Sequence, residues 1–292
     1  MIRIAHLSDL HYDRSRQLRV TLERLVKLVA DSGPDLVVVS GDLSADGRSS
    51  QLDEVRDILG RLDGIPMLVV PGNRDLEPSA GPPGESQPLP VDSDLDFFLA
   101  LEPALALGFE DEGDGESDPA HRFVARFGPT EPVVEDDRFV AVGVQSSPKL
   151  SSESLARAAR RLRRSDGEVR IFALHHGLLP VPGRKLRDGD LVARAGDVLS
   201  LLCDLRVDLV LHGHVHRANV WRLSDARGDI VVASAGALVN DGRRDASFLE
   251  IVVDGDSIEV DRRSVATGRS TPLFASGDVR ASRGRGRAVA RR

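Results

Sequence analysis

The chain has 292 residues, of which 41% are hydrophobic and 29% charged, and its formal net charge at pH 7 is −7. This composition is typical of a globular protein with a sizeable core, and a spanning helix is excluded because no run of about 18 apolar residues occurs. Aromatic residues make up only 4% of the chain and Cys203 is the single cysteine, which disfavours a base-stacking surface and a secreted fold held by disulfides.

The N-terminal two thirds of the chain alternate short β-rich apolar runs with segments of helical periodicity. The runs that predict strands are residues 2–7, 35–40, 66–70, 139–144, 169–174 and 207–211. The segments with apolar residues every three to four positions, which predict helices, are 18–30, 52–62, 155–162 and 191–203. This alternation predicts an α/β fold.

The pattern changes after Trp221, where β-rich runs follow one another without a helical segment. These runs are residues 230–233, 247–253 and 257–262. They predict a closing set of antiparallel strands.

Two segments depart from this pattern and define the expected domain organisation. Proline-rich and acidic stretches predict a loop-rich insertion at about residues 78–118, with a helix over 95–107 between them. The end of the chain carries six arginines and no acid after Asp278. We therefore expect one domain over residues 1–270 and a basic, disordered tail over 271–292.

Polar side chains that commonly bind metals follow five of the predicted strands, at the point where each strand ends. These residues are Asp9, His11, Asp42, Asn73, Arg74, Asp75, His175, His176, His214 and His216. Open α/β sheets bind ligands at the carboxyl ends of their strands, so these clusters are expected to meet in space.

The donor types in these clusters predict a centre with more than one metal ion. Three carboxylate or amide oxygens and four imidazoles are too many ligands for one tetrahedral ion, and they suit two ions that share a bridging carboxylate. Mixed oxygen and nitrogen ligands without a thiolate favour manganese, iron, zinc or cobalt over calcium or a structural zinc.

The motifs as an ordered set resemble the calcineurin-like metallophosphoesterase family. They are Asp9-Leu-His11, Gly41-Asp42, Gly72-Asn73-Arg74-Asp75, His175-His176 and Gly213-His214-Val-His216. The resemblance spans about residues 1–255 and is closest to the class III cyclic nucleotide phosphodiesterase branch. It implies a four-layer sandwich in which two mixed β-sheets are flanked by helices.

The resemblance also implies a division of the ligands between two divalent ions. One ion would be held by Asp9, His11, Asp42 and His216, and the other by Asp42, Asn73, His175 and His214. Asp42 would then be the bridge, and a metal-bridging hydroxide would attack phosphorus. The implied function is a dimetal-dependent phosphodiesterase whose substrate is a small nucleotide or a related phosphodiester.

Arg74 departs from the family pattern, which usually has a histidine at this position. An arginine can clamp phosphate oxygens but is a poor proton donor, so leaving groups of low pKa are favoured. Arg74 also resembles the corresponding residue of pyrophosphatases that cleave lipid-linked UDP-sugars, which leaves a pyrophosphohydrolase of a nucleotide-sugar type substrate as an alternative. His176 is a second catalytic candidate as proton donor, and a supporting role beside the ligands is an equal alternative.

Two further functions remain open at this point. A DNA-end nuclease shares the metal motifs and would use the arginine tail, but the acidic body of the chain disfavours a nucleic-acid partner. A non-catalytic protein-binding scaffold is the other alternative, although all seven ligands are present. The N-terminus lacks the pattern of a signal peptide, so we expect a cytoplasmic protein without a membrane partner.

Overall fold

Two six-stranded sheets form the centre of the molecule. The structure is a computed structural model, and it describes residues 1–76, 118–147, 149–164, 169–238, 245–255 and 257–276. The strands are β1 (Ile2–Leu7), β2 (Leu36–Ser40), β3 (Met67–Val70), β4 (Val133–Glu135), β5 (Phe139–Gly143), β6 (Val169–Ala173), β7 (Leu209–His212), β8 (Asn219–Asp225), β9 (Gly228–Ser234), β10 (Ser247–Asp254), β11 (Ser257–Ser264) and β12 (Ser270–Ser276). The helices are α1 (Arg16–Ser32), α2 (Ser49–Leu59), α3 (Asn73–Leu76), α4 (Pro119–Phe127), α5 (Ser152–Arg164) and α6 (Ala195–Asp204).

Each sheet contains both parallel and antiparallel strands. The first sheet has the order β12-β11-β10-β1-β2-β3, in which β1, β2 and β3 are parallel and β10 to β12 are antiparallel. The second sheet has the order β4-β5-β6-β7-β9-β8, with parallel central strands and antiparallel edges. The parallel strands of each sheet therefore end at a common edge, where polar residues can collect.

Three apolar layers hold the sheets and helices together. The middle layer lies between the two sheets and includes Ile4, Val38, Ile171 and Leu211. A second layer packs α1 and α2 against the outside of the first sheet, and a third packs α5 and α6 against the outside of the second sheet. The predicted α/β sandwich of two mixed sheets flanked by helices is confirmed.

Helix α1 illustrates how local sequence determines an element. The side chain of Ser15 accepts a hydrogen bond from the backbone N–H of Leu18 and caps the helix. Gly33 ends it with a φ of 58°, a left-handed conformation that glycine adopts without strain. The residues buried between them are Leu22, Leu25, Val26 and Val29, with the three-to-four spacing that predicted the helix.

The strands predicted from the sequence are all present, and their observed ends lie within two residues of the expected ones in the first part of the chain. The sequence pattern missed β4, β8, β12 and α4. Strand β8 has half-buried or exposed residues along its whole length, and β12 is almost as exposed, so neither has the apolar signature of a central strand. Both are edge strands.

The first sheet extends past residue 270, where the end of the domain was expected. Strand β12 pairs with β11 from Ser270 to Ser276, so the sheet continues into the segment that was expected to be a disordered tail. The remaining tail residues, 277–292, lie outside the described residues, as do residues 77–117, which include the predicted helix 95–107 and nearly all of the predicted insertion. In the part of the chain that the structure describes, no helix is long and apolar enough to cross a membrane.

Candidate metal centre

The segments that follow β1, β2, β3, β6 and β7 meet at one edge of the sandwich. The backbone N–H of Asp9 donates to the carbonyl of Gly41 at 2.9 Å, and that of His11 donates to the carbonyl of Asp42 at 2.9 Å. Across the two sheets, the backbone N–H of His214 donates to both carboxylate oxygens of Asp9, at 3.0 and 3.2 Å. Backbone hydrogen bonds therefore join the segments of the first sheet, and the Asp9 carboxylate joins them to the second sheet.

Backbone strain is concentrated at this edge. Eight non-glycine residues in the described ranges have a positive φ, and five of them are sequence-predicted ligands: Asp9, His11, Asp42, His214 and His216. Such a conformation costs of order 1 to 3 kcal/mol per residue and persists where surrounding contacts hold it, typically at functional sites. At these positions the backbone turns sharply after a strand, so that the side chains of the different segments face one another.

Glycines allow the segments to approach this closely. A Cβ atom on Gly72 would lie 2.2 Å from the backbone nitrogen of Asp42, and one on Gly213 would lie 1.7 Å from Oγ of Ser8 and 2.6 Å from Oδ2 of Asp9. Real Cβ atoms do not come so near to other heavy atoms, so a side chain at either position would force the segments apart.

We expect Gly213→Ala to weaken metal binding and to lower the free energy of unfolding by about 1 to 3 kcal/mol, because the added methyl group displaces Ser8 and Asp9. Gly196→Ala, at a helical glycine with open space around its Cβ position, is the matched control. Urea unfolding and metal titration of both variants measure the effect. Equal behaviour of the two variants would contradict the close approach at Gly213.

The first group of donors comprises Asp9, His11 and His216. Nε2 of His11 lies 2.8 Å from Nε2 of His216, and Oδ1 of Asp9 lies 3.8 Å from Nε2 of His11 and 3.4 Å from Nε2 of His216. One ligand atom from each residue lies within 4.8 Å of the others. Two imidazoles and a carboxylate that converge in this way are suited to a transition-metal ion.

The second group of donors contains Asp42 and His175 and shares Asp9 with the first group. Asp9, Asp42 and His175 present one ligand atom each within 4.8 Å of one another. Nε2 of His175 also lies 3.2 Å from Oδ1 of Asn73 and 3.3 Å from Nδ1 of His214. The structure thus brings together all seven residues predicted as ligands.

Asp42 contacts both groups through different oxygens. Its Oδ2 lies 3.6 Å from Nε2 of His11, and its Oδ1 lies 3.5 Å from Nε2 of His175. The backbone N–H of Arg74 donates to Oδ1 at 2.8 Å and orients the carboxylate. A carboxylate placed between two sets of donors in this way is suited to bridging two ions.

The ring of His175 is oriented by the backbone of β2. Its Nδ1 lies 2.8 Å from the carbonyl oxygen of Ser40, which can only accept, so Nδ1 carries a hydrogen and Nε2 faces the donors of the site. Oγ of Ser8 donates to the same carbonyl at 3.1 Å. Such bonds behind a histidine fix which ring nitrogen is available to a metal.

The carboxylates and imidazoles of the metal-free site shift one another's pKa values. Burial opposes ionisation of Asp42, but the positive charge of His175 and its contact with the carboxylate outweigh burial and lower the pKa of Asp42 to about 2. Burial likewise opposes protonation of His175, but Asp42 outweighs it and raises the pKa of His175 to about 9. Burial and then the charge of His175 lower the pKa of His214 to about 4. Ionised carboxylates and a neutral imidazole are the forms that bind metals.

Comparison with known proteins identifies the family. The profile of the calcineurin-like phosphoesterases matches residues 2–218, which is most of the chain. The chain belongs to this family. No curated protein sequence matches it.

Solved structures of other phosphoesterases share the fold. A purple acid phosphatase from yellow lupin (Lupinus luteus) seeds is 16% identical with a TM-score of 0.62, covering 94% of this chain and 53% of its own. This chain therefore spans about half the length of the lupin protein. A dimetal phosphatase from Danio rerio is 13% identical with a TM-score of 0.61, covering 94% of this chain and 99% of its own. At these identities the likeness concerns the fold alone.

The two residues predicted to be catalytic, Arg74 and His176, have different surroundings in this phosphoesterase. Arg74 lies in α3, where its backbone N–H holds Asp42. His176 packs its ring against His214 with centroids 4.4 Å apart, and Oγ of Ser146 lies 3.0 Å from its Nδ1. Burial, and then the charges of His175 and His214, lower the pKa of His176 to about 2. His176 is therefore neutral at neutral pH, which disfavours it as a proton donor.

Two buried carboxyl groups contact the segments or side chains that form the site of this phosphoesterase. Asp75 accepts hydrogen bonds from the backbone N–H groups of Leu43, Ser44 and Gly72, so it joins the segments that carry Asp42 and Asn73. The sequence pattern included Asp75 in the Gly72-Asn73-Arg74-Asp75 motif, but it contained no signal for Asp190. That residue follows β6 by a long loop and lies 3.6 Å from Nε2 of His214.

Proposed function

We propose that this phosphoesterase uses two divalent ions to hydrolyse a phosphodiester of a small nucleotide or a related compound. The observation that supports the proposal best is the position of Asp42, with one carboxylate oxygen toward His11 and the other toward His175. A bridging carboxylate is the hallmark of a two-ion centre. The ion identities that fit the donors are manganese, iron, zinc or cobalt.

In this proposal each ligand has a definite place. Asp9, His11, Asp42 and His216 hold one ion, and Asp42, Asn73, His175 and His214 hold the other. When bound, the ions bind phosphate oxygens and lower the pKa of a water molecule so that it acts as a nucleophile near neutral pH. The chain itself orients these ligands through Ser40, Gly72 and the backbone of Arg74.

The test is hydrolysis of bis(p-nitrophenyl) phosphate, p-nitrophenyl phosphate and a cyclic nucleotide by metal-free protein titrated with Mn²⁺. We expect turnover that depends on Mn²⁺ and has a higher kcat/KM for the diesters. Faster turnover of the monoester would contradict the phosphodiesterase assignment and leave a phosphatase, as the lupin and Danio rerio proteins are named.

Arg74 supports a second candidate, a pyrophosphohydrolase. A guanidinium stays charged and can clamp phosphate oxygens, but it cannot readily protonate a poor leaving group. A phosphate leaving group needs no such proton. An unreactive diester together with release of a nucleoside monophosphate from a nucleotide sugar would favour this candidate over the first.

We expect Arg74→His to speed the hydrolysis of diesters with poor leaving groups relative to those with good ones, because histidine can donate a proton. The measurement is the slope of log kcat/KM against leaving-group pKa for a series of aryl phosphodiesters, with metal content determined in parallel. The metal content is expected to stay the same, since Arg74 contacts Asp42 through its backbone. Equal rate changes across the series would contradict a role of residue 74 at the leaving group.

The remaining sequence-based expectations stay predictions. A DNA-end nuclease would need its nucleic-acid contacts in the arginine tail, since the chain as a whole carries a net charge of −7. A protein-binding scaffold would bind partners without turnover. The cytoplasmic location and the absence of a membrane partner also stay predictions.

A further inference from the structure

Asp190 is a buried carboxylate directly behind the candidate metal centre. It is only 3% exposed and lies in the loop between β6 and α6. Its Oδ1 is 3.6 Å from Nε2 of His214, on the side of that ring away from the donors. The other ring nitrogen of His214, Nδ1, lies 3.3 Å from Nε2 of His175 inside the site.

The loop holds this carboxylate in a fixed position. A guanidinium nitrogen of Arg184 donates to Oδ1 of Asp190 at 2.8 Å, and the backbone N–H of Arg187 donates to Oδ2 at 2.8 Å. The backbone N–H of Gly177, just after His176, donates to the carbonyl of Asp190 at 3.2 Å. Two groups of the loop therefore hold the Asp190 carboxylate, and Gly177 holds its backbone.

Arg184 extends the contact to the segment that carries two of the proposed ligands. Its other terminal nitrogen donates to the carbonyl of Val215 at 3.1 Å, between His214 and His216. A half-buried arginine that joins a carboxylate to a carbonyl has a restricted set of conformations. Arg184 thus links the backbone of the His214 segment to the carboxylate that faces the His214 ring.

We propose that Asp190, held by Arg184, is a positioning residue that sets the orientation and the tautomer of His214. A neutral imidazole carries one hydrogen, and an ionised carboxylate can only accept, so Asp190 favours the hydrogen on Nε2. Nδ1 then keeps its lone pair and faces the site as a metal ligand. This inference rests on the proposed function, because it takes His214 as a ligand.

The matched pair of variants is Asp190→Asn and Asp229→Asn. Asp229 is also a buried aspartate, 4% exposed, and Arg222 contacts it at 2.8 Å. Asp229 lies at the start of β9, and the opposite end of that strand pairs with His212 near the site. Asp229 is therefore at the end of the strand away from the site. Both variants remove a buried charge from an ion pair with arginine, but only one faces a proposed ligand.

The first readout is Mn²⁺ binding, measured by calorimetry on metal-free protein. We expect Asp190→Asn to weaken the binding of one of two ions by about 10- to 100-fold, the usual effect of removing a group behind a metal-bound histidine. Asp229→Asn is expected to bind both ions as the native protein does. Equal weakening in the two variants, or none in either, would overturn the proposal.

The second readout is the tautomer of His214 in the metal-free protein, from nitrogen-15 NMR of the histidine rings. We expect the hydrogen on Nε2 in the native protein and in Asp229→Asn, and a mixture of tautomers in Asp190→Asn, since an amide can also present a donor. A native protein with the hydrogen on Nδ1 would overturn the proposal. Native protein that shows the expected tautomer but binds no Mn²⁺ would contradict the proposed function and leave the positioning of His214 intact.

A second variant covers the case in which Asp190→Asn does not fold. Arg184→Gln keeps the carboxylate but removes the ion pair and its charged contact with Val215. It is expected to weaken binding of the same ion and to broaden the His214 resonances. If Arg184→Gln has native Mn²⁺ affinity and a native His214 tautomer, Arg184 does not hold Asp190 in the proposed way.

Discussion

Asp42→Asn is expected to lower the rate of phosphodiester hydrolysis by about 1000-fold or more, because loss of the shared carboxylate weakens the binding of both ions. The two ions together supply several kcal/mol of transition-state stabilisation. The geometry behind this expectation is the placement of Oδ1 and Oδ2 toward different histidines. The measurement is kcat/KM for bis(p-nitrophenyl) phosphate at saturating Mn²⁺.

Asp208→Asn is the control for this experiment. Asp208 is a buried aspartate, 2% exposed, that precedes β7 at the edge of the sheet opposite the site. Its substitution perturbs the core without touching a proposed ligand, so native turnover is expected. If Asp42→Asn folds and retains more than a tenth of native turnover, Asp42 is not the shared ligand.

The metal-free protein is expected to lose stability steeply as the pH falls from about 6.5 to 5. Five histidines have pKa values below the ordinary 6.5, mainly because burial disfavours their charged forms: His6 at about 3, His176 at about 2, His212 and His214 at about 4, and His11, whose pKa is also lowered. Below pH 6.5 the unfolded chain binds protons at these residues that the folded chain does not. Stability is therefore lost as the pH falls, by up to about 1.4 kcal/mol per pH unit for each histidine.

Asp75, His175 and His216 have raised pKa values and offset part of this loss. Burial and the charge of Asp42 raise the pKa of Asp75 to about 6, so Asp75 takes up a proton in the folded state first and offsets one histidine. His175, with its pKa raised to about 9 by Asp42 against the effect of burial, stays protonated in the folded state over this range, while the unfolded chain takes up this proton near pH 6.5. His175 therefore offsets part of the loss near pH 6.5 and little of it near pH 5. A net loss of stability toward pH 5 is still expected, because the five histidines outnumber the groups that offset them.

His6→Gln separates this mechanism from general acid denaturation. Nε2 of His6 lies 2.9 Å from Oγ of Ser40, and glutamine can keep a hydrogen bond there without titrating. We expect a slope smaller by about 1.4 kcal/mol per pH unit in urea unfolding with EDTA present. His121→Gln, which replaces an exposed histidine on α4, is the control with an unchanged slope. An unchanged slope in His6→Gln would contradict the account.

The fold was predictable to the extent that its strands are buried. Residues 37–39 are three consecutive valines in a strand buried on both faces, and such a run has few other interpretations. Strand β8 could not be predicted in this way, because an edge strand with exposed residues lacks an apolar pattern. Strand β12, which begins at the expected boundary of 270, lacks an apolar pattern for the same reason, since its residues are mostly exposed.

The candidate site was predictable because its ligands directly follow strands. Asp9, Asp42 and His175 each come one or two residues after a strand, so the topology that brings strand ends together also brings these side chains together. Asp190 follows no strand, and its contact with His214 depends on the path of a long loop. A single aspartate among many in a charged sequence has no local signal, so its position beside His214 could be found only from the structure.

Anomalous diffraction from crystals soaked with Mn²⁺ tests the central claim most directly. The account predicts two peaks about 3.5 to 4 Å apart that share Asp42. One is expected among Asp9, His11 and His216, and the other among Asn73, His175 and His214. A single peak at this edge of the sandwich, or none at saturating Mn²⁺, would contradict a two-ion centre.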